Sequence, residues 1–468
     1  MARSAPLPRC RPARISLRRC ALAAPLIIAS LVSCHRGPAE VNEEKGLTIL
    51  ANAAVGGVNS QLADWLDEEL PGISKELGVP VAFLSAGLND QDFKARVALD
   101  IKGGRAADVI GLDQFWTPEF AGAGFIMPLD RYFSAWPVRE QYFAPIREMG
   151  SFRGHVYQVI WNADLRMIFY NREIFRRAGL ALPWRPRSWD DILAAGRTIK
   201  ERCPGVTPLQ LDAGTVMGEA STMQGFYMVL LGAGGRLYDP ARECWITDSA
   251  PIRRAARFYR VVYQDEKLGD PDLQVAAKAR EKSFDLFSAG KIAVYIESTW
   301  FYTSVLSPTN DSWGIKDRDD RIGWAPMPGG GRSGDPEFVS ISGGDGLIIN
   351  PHCKNPELAW KLVMALNDLG RQQRLFLKKP FTPTRRDLAE LPEVMQHRFI
   401  SETARAIMPC TTFRPALPEY PEVSFQVQYL TERLATGQLG VDAALAEFGQ
   451  SVANAVGQDK VCGAGPGQ

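Results

Sequence analysis

The chain has 468 residues, 46% hydrophobic and 10% aromatic, with 54 basic and 53 acidic side chains and a formal charge of +1. A body of that length buries a large core and divides into two or three domains. Six arginines stand within the first 19 residues; without them 48 basic side chains face 53 acidic ones, a balance of −5 that excludes the clustered basic charge of a nucleic-acid binder.

Arg3, Arg9, Arg11, Arg14, Arg18 and Arg19 form a basic leader with no acidic residue, ahead of an apolar run over 21–32. That run is shorter than the roughly 20 apolar residues that span a bilayer. The pattern is that of an export signal. Leu31-Val32-Ser33-Cys34 resembles a bacterial lipobox, in which the cysteine is acylated and becomes the new N-terminus. An ordinary cleaved signal with a chance cysteine is the alternative. Arg18-Arg19 also touches on the twin-arginine pattern, although Cys20-Ala21 stands where that pattern wants a bulky apolar residue. The reading is therefore a signal over 1–33, lipidation at Cys34, a polar tether over 34–46 and an extracytoplasmic body. No later apolar run is long enough to cross a membrane, which leaves multiple acylation as the anchor.

The remaining cysteines, Cys203, Cys244, Cys353, Cys410 and Cys462, show no CxxC spacing, and the four histidines are dispersed, so no metal site is expected. Export permits disulfides. Cys203 ends a predicted helix and Cys244 follows a Gly-rich turn in the same region, so these two are the expected pair, with at least one thiol left free.

After the tether, Leu47 to Ala51 reads as a buried strand. A helix follows with Leu62, Trp65, Leu66 and Leu70 on one face. Strands are expected at Pro80–Leu84 and Ala107–Leu112, around a helix from Phe93 to Ile101. Two extended runs, 155–160 and 165–170, flank Trp161-Asn162-Ala163-Asp164. Ser188 is a predicted helix N-cap, with Asp190 and Asp191 where the helix dipole favours acids. Further on come an amphipathic helix over 252–263, a strand over 291–296 that delivers Glu297-Ser298-Thr299-Trp300, and a glycine-interrupted strand over 340–349. The C-terminal part is mainly helical, with predicted helices over 356–368, 371–377, 424–436 and 441–456. Alternation of strand and helix predicts α/β lobes with mostly parallel sheet.

Polar–aromatic clusters fall at predicted strand ends: Asp113 with Trp116, Trp161 with Asp164, Glu297 with Trp300, and Arg414 with Tyr420. A sugar ring needs such a set, an aromatic wall for its apolar face and acceptors and donors for its hydroxyl rim. In α/β sheets ligands sit beyond the carboxyl ends of strands. A buried core role is the competing reading of each single tryptophan.

The run Gly154 to Asn171, then Ile174 to Leu180, then Ser188-Trp189-Asp190-Asp191-Ile192, resembles the core signature of bacterial extracellular solute-binding proteins of the carbohydrate type, the maltose/trehalose-like receptors of ABC importers. Phe287 to Val294 leading to Trp300, Pro326-Met327-Pro328, Gly343-Gly344, Asn355 to Trp360 and Arg414 to Ser424 continue the resemblance in order. It covers nearly the whole chain after the leader. Where many relatives carry a proline shortly after the Tyr157 position, Val159-Ile160-Trp161 stands here, so Trp161 is either a site wall or hinge packing.

The resemblance implies a type II periplasmic-binding-protein-like α/β fold, two lobes with a hinge, a cleft between them and a helical C-terminal segment. The lobes would comprise 47–157 with 306–368, and 158–305 with 369–460, before a tail over 461–468. It implies that Asp164 hydrogen-bonds sugar hydroxyls and that Trp300 stacks on the ring. Asp113 and Trp116 would contribute from the first lobe, and Gly343 and Gly344 would bring backbone N–H groups to the ligand. Arg414 and Tyr420 would line the second lobe, with Arg385 a further contact or a solvated helix-start arginine. The implied function is capture of a di- or oligosaccharide and its delivery to an ABC permease pair, by a monomer that needs no cofactor and does no chemistry. Besides a non-transport docking protein, such as a sensor ectodomain partner or outer-surface adhesin, two alternatives remain. One is a lipoprotein glycosidase, with Glu297 and Asp164 as the nominal carboxylate pair. The other is a receptor for a non-sugar solute such as a polyamine or a glycerophosphodiester.

Overall fold

The computed structural model describes residues 46–54, 59–88 and 90–462. The leader, Cys34 and most of the tether lie outside the described residues, as does nearly all of the expected tail.

The strands that matter are β1 (Leu47–Ala51), β2 (Val81–Ser85), β3 (Val109–Asp113), β4 (Val159–Asn171), β5 (Thr207–Gln210), β6 (Ile292–Ser298), β7 (Ile322–Ala325) and β8 (Phe338–Ile349). They join one sheet in the order β2-β1-β3-β8-β4-β6-β5, with β7 on β4. The two short strands Met327–Pro328 and Thr411–Thr412 pair with β8. The outer strands β1, β2 and β3 are mutually parallel, as are β5 and β6. The centre is not: β8 runs antiparallel to both β3 and β4, and β4 antiparallel to β6. The expectation of a mostly parallel sheet therefore holds only toward its two ends. The end of the first run expected around Trp161 to Asp164 and all of the second lie in one continuous 13-residue strand, β4, while His155-Val156 pairs separately with Ser151-Phe152.

Alternation along these strands explains the layers. Leu50, Ile110, Ile168, Val294 and Ile348 enter one apolar cluster, and their neighbours Ile49, Val109, Phe169, Tyr295 and Leu347 enter another. Both faces of the sheet are thus buried, which is why its strands read as near-continuous apolar runs. The covering helices include α1 (Ser60–Leu77), α2 (Asp90–Lys102), α3 (Trp189–Arg202), α4 (Ala250–Arg260), α5 (Ala279–Ser288), α6 (Pro356–Leu366), α7 (Leu369–Lys378), α8 (Arg398–Ile407), α9 (Tyr420–Ala435) and α10 (Val441–Val456). The predicted face of α1 is buried at Leu62, Trp65, Leu66 and Leu70. Its other side meets α7, where Glu69 pairs with Arg371 and Arg374 and Glu68 with Lys378. Ser188 caps α3 as expected, its hydroxyl accepting from the Asp191 N–H at 3.3 Å. The C-terminal helices α9 and α10 pack on each other and on α4.

The disulfide is not the expected one. Cys244 bonds to Cys462, 218 residues away, and Cys203 is a free, fully buried thiol at the C-cap of α3. The reason is strand pairing. Cys244-Trp245 forms a short ribbon with Tyr238-Asp239, and the chain end joins it, the Cys462 N–H donating to the Trp245 carbonyl at 2.9 Å. Proximity in sequence placed Cys203 near Cys244, but its sulfur packs into the core against the Ile174 carbonyl.

Two predictions follow from this packing. A Cβ on Gly344 would lie 2.3 Å from the Asn162 carbonyl oxygen, backbone that cannot rotate away, whereas a Cβ on Gly72 in α1 meets nothing. Calorimetric melting is expected to show Gly344→Ala destabilised by about 1–3 kcal/mol and Gly72→Ala stabilised by about 0.5 kcal/mol. Peptide mapping is expected to recover the 244–462 link, and Cys462→Ser to lose about 2–5 kcal/mol in denaturant titration; a link through Cys203 would contradict the pairing.

Candidate functional site

The register of the central strands builds the site. Asp113 at the end of β3 stands opposite Asp345 on β8, and Asp345 opposite Asn162 on β4. Two residues along, Gly343 stands opposite Asp164, and Arg166 stands opposite Ser298 at the end of β6. Asn162, Asp164 and Arg166 alternate on β4, so one face of the strand presents three polar side chains in a row. Beyond Ser298 the chain turns at Trp300. Asp113, Asn162, Asp164, Arg166, Trp300 and Asp345 surround a cavity of about 200 Å3 that also touches Glu219, Arg280, Lys379 and Arg414.

Its charges are held in pairs. Asp164 accepts from Arg166 and from the Gly343 N–H at 2.8 Å. Arg414 donates to Asp113 and to Glu219, each at 3.2 Å, and its guanidinium lies 4.1 Å above the Phe115 ring. Burial opposes the charge on Arg414, but Asp113 and Glu219 outweigh it and raise its pKa. Tyr420 and Ser424 donate to Glu219 at 2.6 and 2.5 Å. Arg280 lies 5.0 Å over the Trp300 ring and donates to Glu297 at 2.8 Å. The Lys379 ammonium donates to Asn59 at 2.9 Å; burial lowers its pKa against the pull of Asp345 and Asp164.

Among the residues singled out from sequence, Asp113, Asp164, Trp300, Gly344 and Arg414 line this cavity together. Trp116 and Trp161 line an adjoining recess of about 70 Å3 that shares Asp113 and Asp345. Both rings are almost fully buried, and Trp161 packs edge-on against Trp65. Gly343 is one step removed, because its N–H is taken by Asp164. An added Cβ there would stand 3.0–3.3 Å from Arg166, Arg414 and Asp164, so the glycine lets three charged groups converge. Tyr420 is fully buried and acts on Glu219 from behind.

Arg385 is not at the site. It is 3% exposed, donates to Asp387 and to the Asn367 carbonyl, and lies over Tyr142. Neither the ligand role nor the solvated role expected for it fits; it is a buried structural arginine. Glu297, half of the nominal catalytic pair, is fully buried with both oxygens engaged, one by Arg280 and the other by the Ser298 N–H and Gln224. Sequence reasoning missed Asn162, Arg166 and Asp345, although period-two alternation within the segments already singled out would have found them. Glu219, Arg280 and Lys379 carry no local signal, since tertiary packing alone brings them in.

Among the described residues no group of histidine, cysteine and acidic side chains is placed to hold a metal, and no helix is long and apolar enough to cross a membrane.

A central mixed sheet with helices on both faces and a charged, aromatic-walled cavity at its middle strands defines a receptor for a small solute. The model of the bacterial extracellular solute-binding protein family matches residues 59–367, and the chain belongs to that family. It is a solute-binding protein, a non-enzymatic receptor. The fold is similar to that of an ABC transporter solute-binding protein from Thermotoga lettingae TMO bound with α-D-tagatose (22% identity, TM-score 0.74, 88% of this chain and 99% of that one). It is similar to the GacH receptor of Streptomyces glaucescens, solved unliganded and with acarbose (22% identity, TM-score 0.73, 88% and 98%). Maltose-bound MalE3 of T. maritima is a third such structure (20% identity, TM-score 0.72, 86% and 98%). At these identities the likeness is one of fold.

Near Glu297 lies a second buried acid with a testable consequence. Asp212 accepts from Gln210 at 3.2 Å and from Tyr295 at 3.4 Å. Burial, then repulsion from Glu297, raises its pKa from 3.8 to about 7. A folded-state pKa above the unfolded one means that the folded protein holds the proton more tightly. The stabilisation is complete below about pH 4 and is lost as pH rises to about 7. His397, whose pKa is lowered by burial, works in the opposite sense over part of that window. The difference between proteins is therefore the readout. The melting temperature of Asp212→Asn relative to wild type is expected to rise steadily from pH 4 to 7.5, and a flat difference would contradict the buried acid.

Proposed function

We propose that this receptor binds a carbohydrate in the cavity between β3, β4, β6 and β8 and hands it unchanged to a permease pair in the membrane. The observation that carries the reading is the lining itself. Acids that accept and arginines that donate alternate around a half-buried tryptophan, as the hydroxyl rim and apolar face of a sugar require. Asp113, Asp164 and Arg414 hydrogen-bond the hydroxyls, Trp300 stacks on the ring, and Gly344 gives the ligand close access to backbone. Trp116 and Trp161 wall the adjoining recess. The neighbours solved with tagatose, acarbose and maltose support a sugar.

On this reading the segments 47–157 with 306–368, and 158–305 with 369–460, move as two lobes that close on the ligand. The protein acts as a monomer outside the cytoplasm. Acylated Cys34 tethers it to a bacterial membrane beside its permease, and no cofactor takes part.

Thermal-shift and calorimetric titration against mono-, di- and oligosaccharides tests the reading, because a ligand that binds only the folded state raises the melting temperature by mass action. A raised melting temperature with the sugar recovered intact supports capture. Shorter products would favour the glycosidase, and stabilisation by spermidine or glycerophosphodiester alone would favour the non-sugar receptor. Trp300→Ala is expected to weaken sugar binding about tenfold or more with little change in melting temperature. Arg385→Ala is expected to do the reverse, lowering stability and leaving affinity intact.

A further inference from the structure

We propose that the cavity takes one uncharged sugar ring, or an alditol of that size, rather than a di- or oligosaccharide. The inference rests on the carbohydrate reading and adds size and charge to it.

Size comes from the walls. The cavity holds about 200 Å3 and the recess beside it about 70 Å3. Pockets for drug-sized ligands begin at roughly 300 Å3, and the two spaces together fall short of that. Part of the wall is fixed core. Met223, Leu375 and Phe381 are all at least nine-tenths buried. The Gly344 side of the cavity is backbone packed on backbone, with the Asn162 carbonyl within 2.3 Å of where a Cβ would stand. On those sides, enlarging the space for a second ring requires moving core residues or the central strands, not flipping a rotamer.

Charge comes from the pairing. Arg166 faces Asp164, Arg414 lies between Asp113 and Glu219, and Arg280 is bound to Glu297. Lys379 sits in the field of Asp345 and Asp164. Each cation is matched by an acid already present, with one acid in excess. An anionic group on the ligand would meet neutralised arginines and that excess. An ammonium would share that one excess acid with Lys379, and beyond it would have to displace arginines from carboxylates that already hold them. A hydroxyl, which donates to a carboxylate lone pair and accepts from a guanidinium N–H, needs neither exchange.

The test is calorimetric titration of the purified protein with a fixed panel. Its neutral arm is glucose, galactose, mannose, fructose, xylose, arabinose, ribitol and sorbitol. Its larger arm is maltose, sucrose, trehalose, lactose and maltotriose. Its charged arm is glucuronate, glucose 6-phosphate and glucosamine. The tightest ligand is expected in the neutral arm, with every larger or charged probe weaker by about tenfold or more. A larger sugar binding most tightly would overturn the size limit, and a charged probe binding most tightly would overturn the charge limit, while the carbohydrate reading stands in both cases. Binding by no member of the panel would overturn the carbohydrate reading and this inference with it.

Discussion

The pairing of β4 with β8 is the constraint on which the rest depends. These are the two longest strands, they run antiparallel at the centre of the sheet, and together they bridge one set of parallel strands to the other. β8 carries the pairing toward β3 in its second half, and β4 carries it toward β6 in its own. Between them the register slips at Asp345/Gly346, where an irregularity bends the ladder and re-aims the side chains beside it. Gly343, Gly344 and Gly346 allow the two backbones and the charged side chains above them to approach closely. A Cβ on Gly346 would meet the Val159 carbonyl at 2.7 Å. Without that pairing Asp113, Asp164 and Trp300, which lie on three different strands or their ends, have no common address.

On this frame the charges are costly unless each is satisfied. Arg414 and Glu297 are buried, and leaving either unpaired would cost about 3–5 kcal/mol. The structure answers with linked partners, each group serving two or three neighbours. Glu219 takes hydrogen bonds from Arg414, Tyr420 and Ser424, and Glu297 takes them from Arg280, Gln224 and a backbone N–H. Such networks contribute little net stability compared with apolar packing. They do fix side chains in one arrangement, and a site that is already in place loses less free energy to ordering when a ligand arrives.

The fold class was legible because periodicity is local. The face of α1, the N-cap at Ser188 and the strand that ends before Trp300 all declare themselves within a few residues. The site was legible in part for the same reason, since Asp113 and Trp300 stand at strand ends and Asp164 on a strand where polar and apolar residues alternate. What escaped was decided by tertiary contact. Arg385 reads as exposed beside Pro383, yet Asp387, Asn367 and Tyr142 close around it. Cys244 finds Cys462 because the chain end adds to a ribbon formed 218 residues earlier. Glu219 and Arg280 sit in segments with no distinguishing pattern and matter only because they meet Arg414 and Trp300.

Mutual neutralisation also bears on what reversible capture requires. A site with a large net charge would gain affinity for ions of the opposite sign and lose it steeply with salt, which outside the cytoplasm varies with the surroundings. Paired charges keep the local hydrogen-bonding strength of ionised groups without that long-range field. Hydrogen bonds to an ionised partner contribute more than neutral ones. A hydroxyl set between a carboxylate and a guanidinium therefore gains strong contacts, while the field it feels falls off within a few ångströms. Affinity then depends on how many hydroxyls match the lining rather than on the charge of the solute. On the carbohydrate reading, discrimination among sugars follows from geometry, and release needs only that the geometry be disturbed.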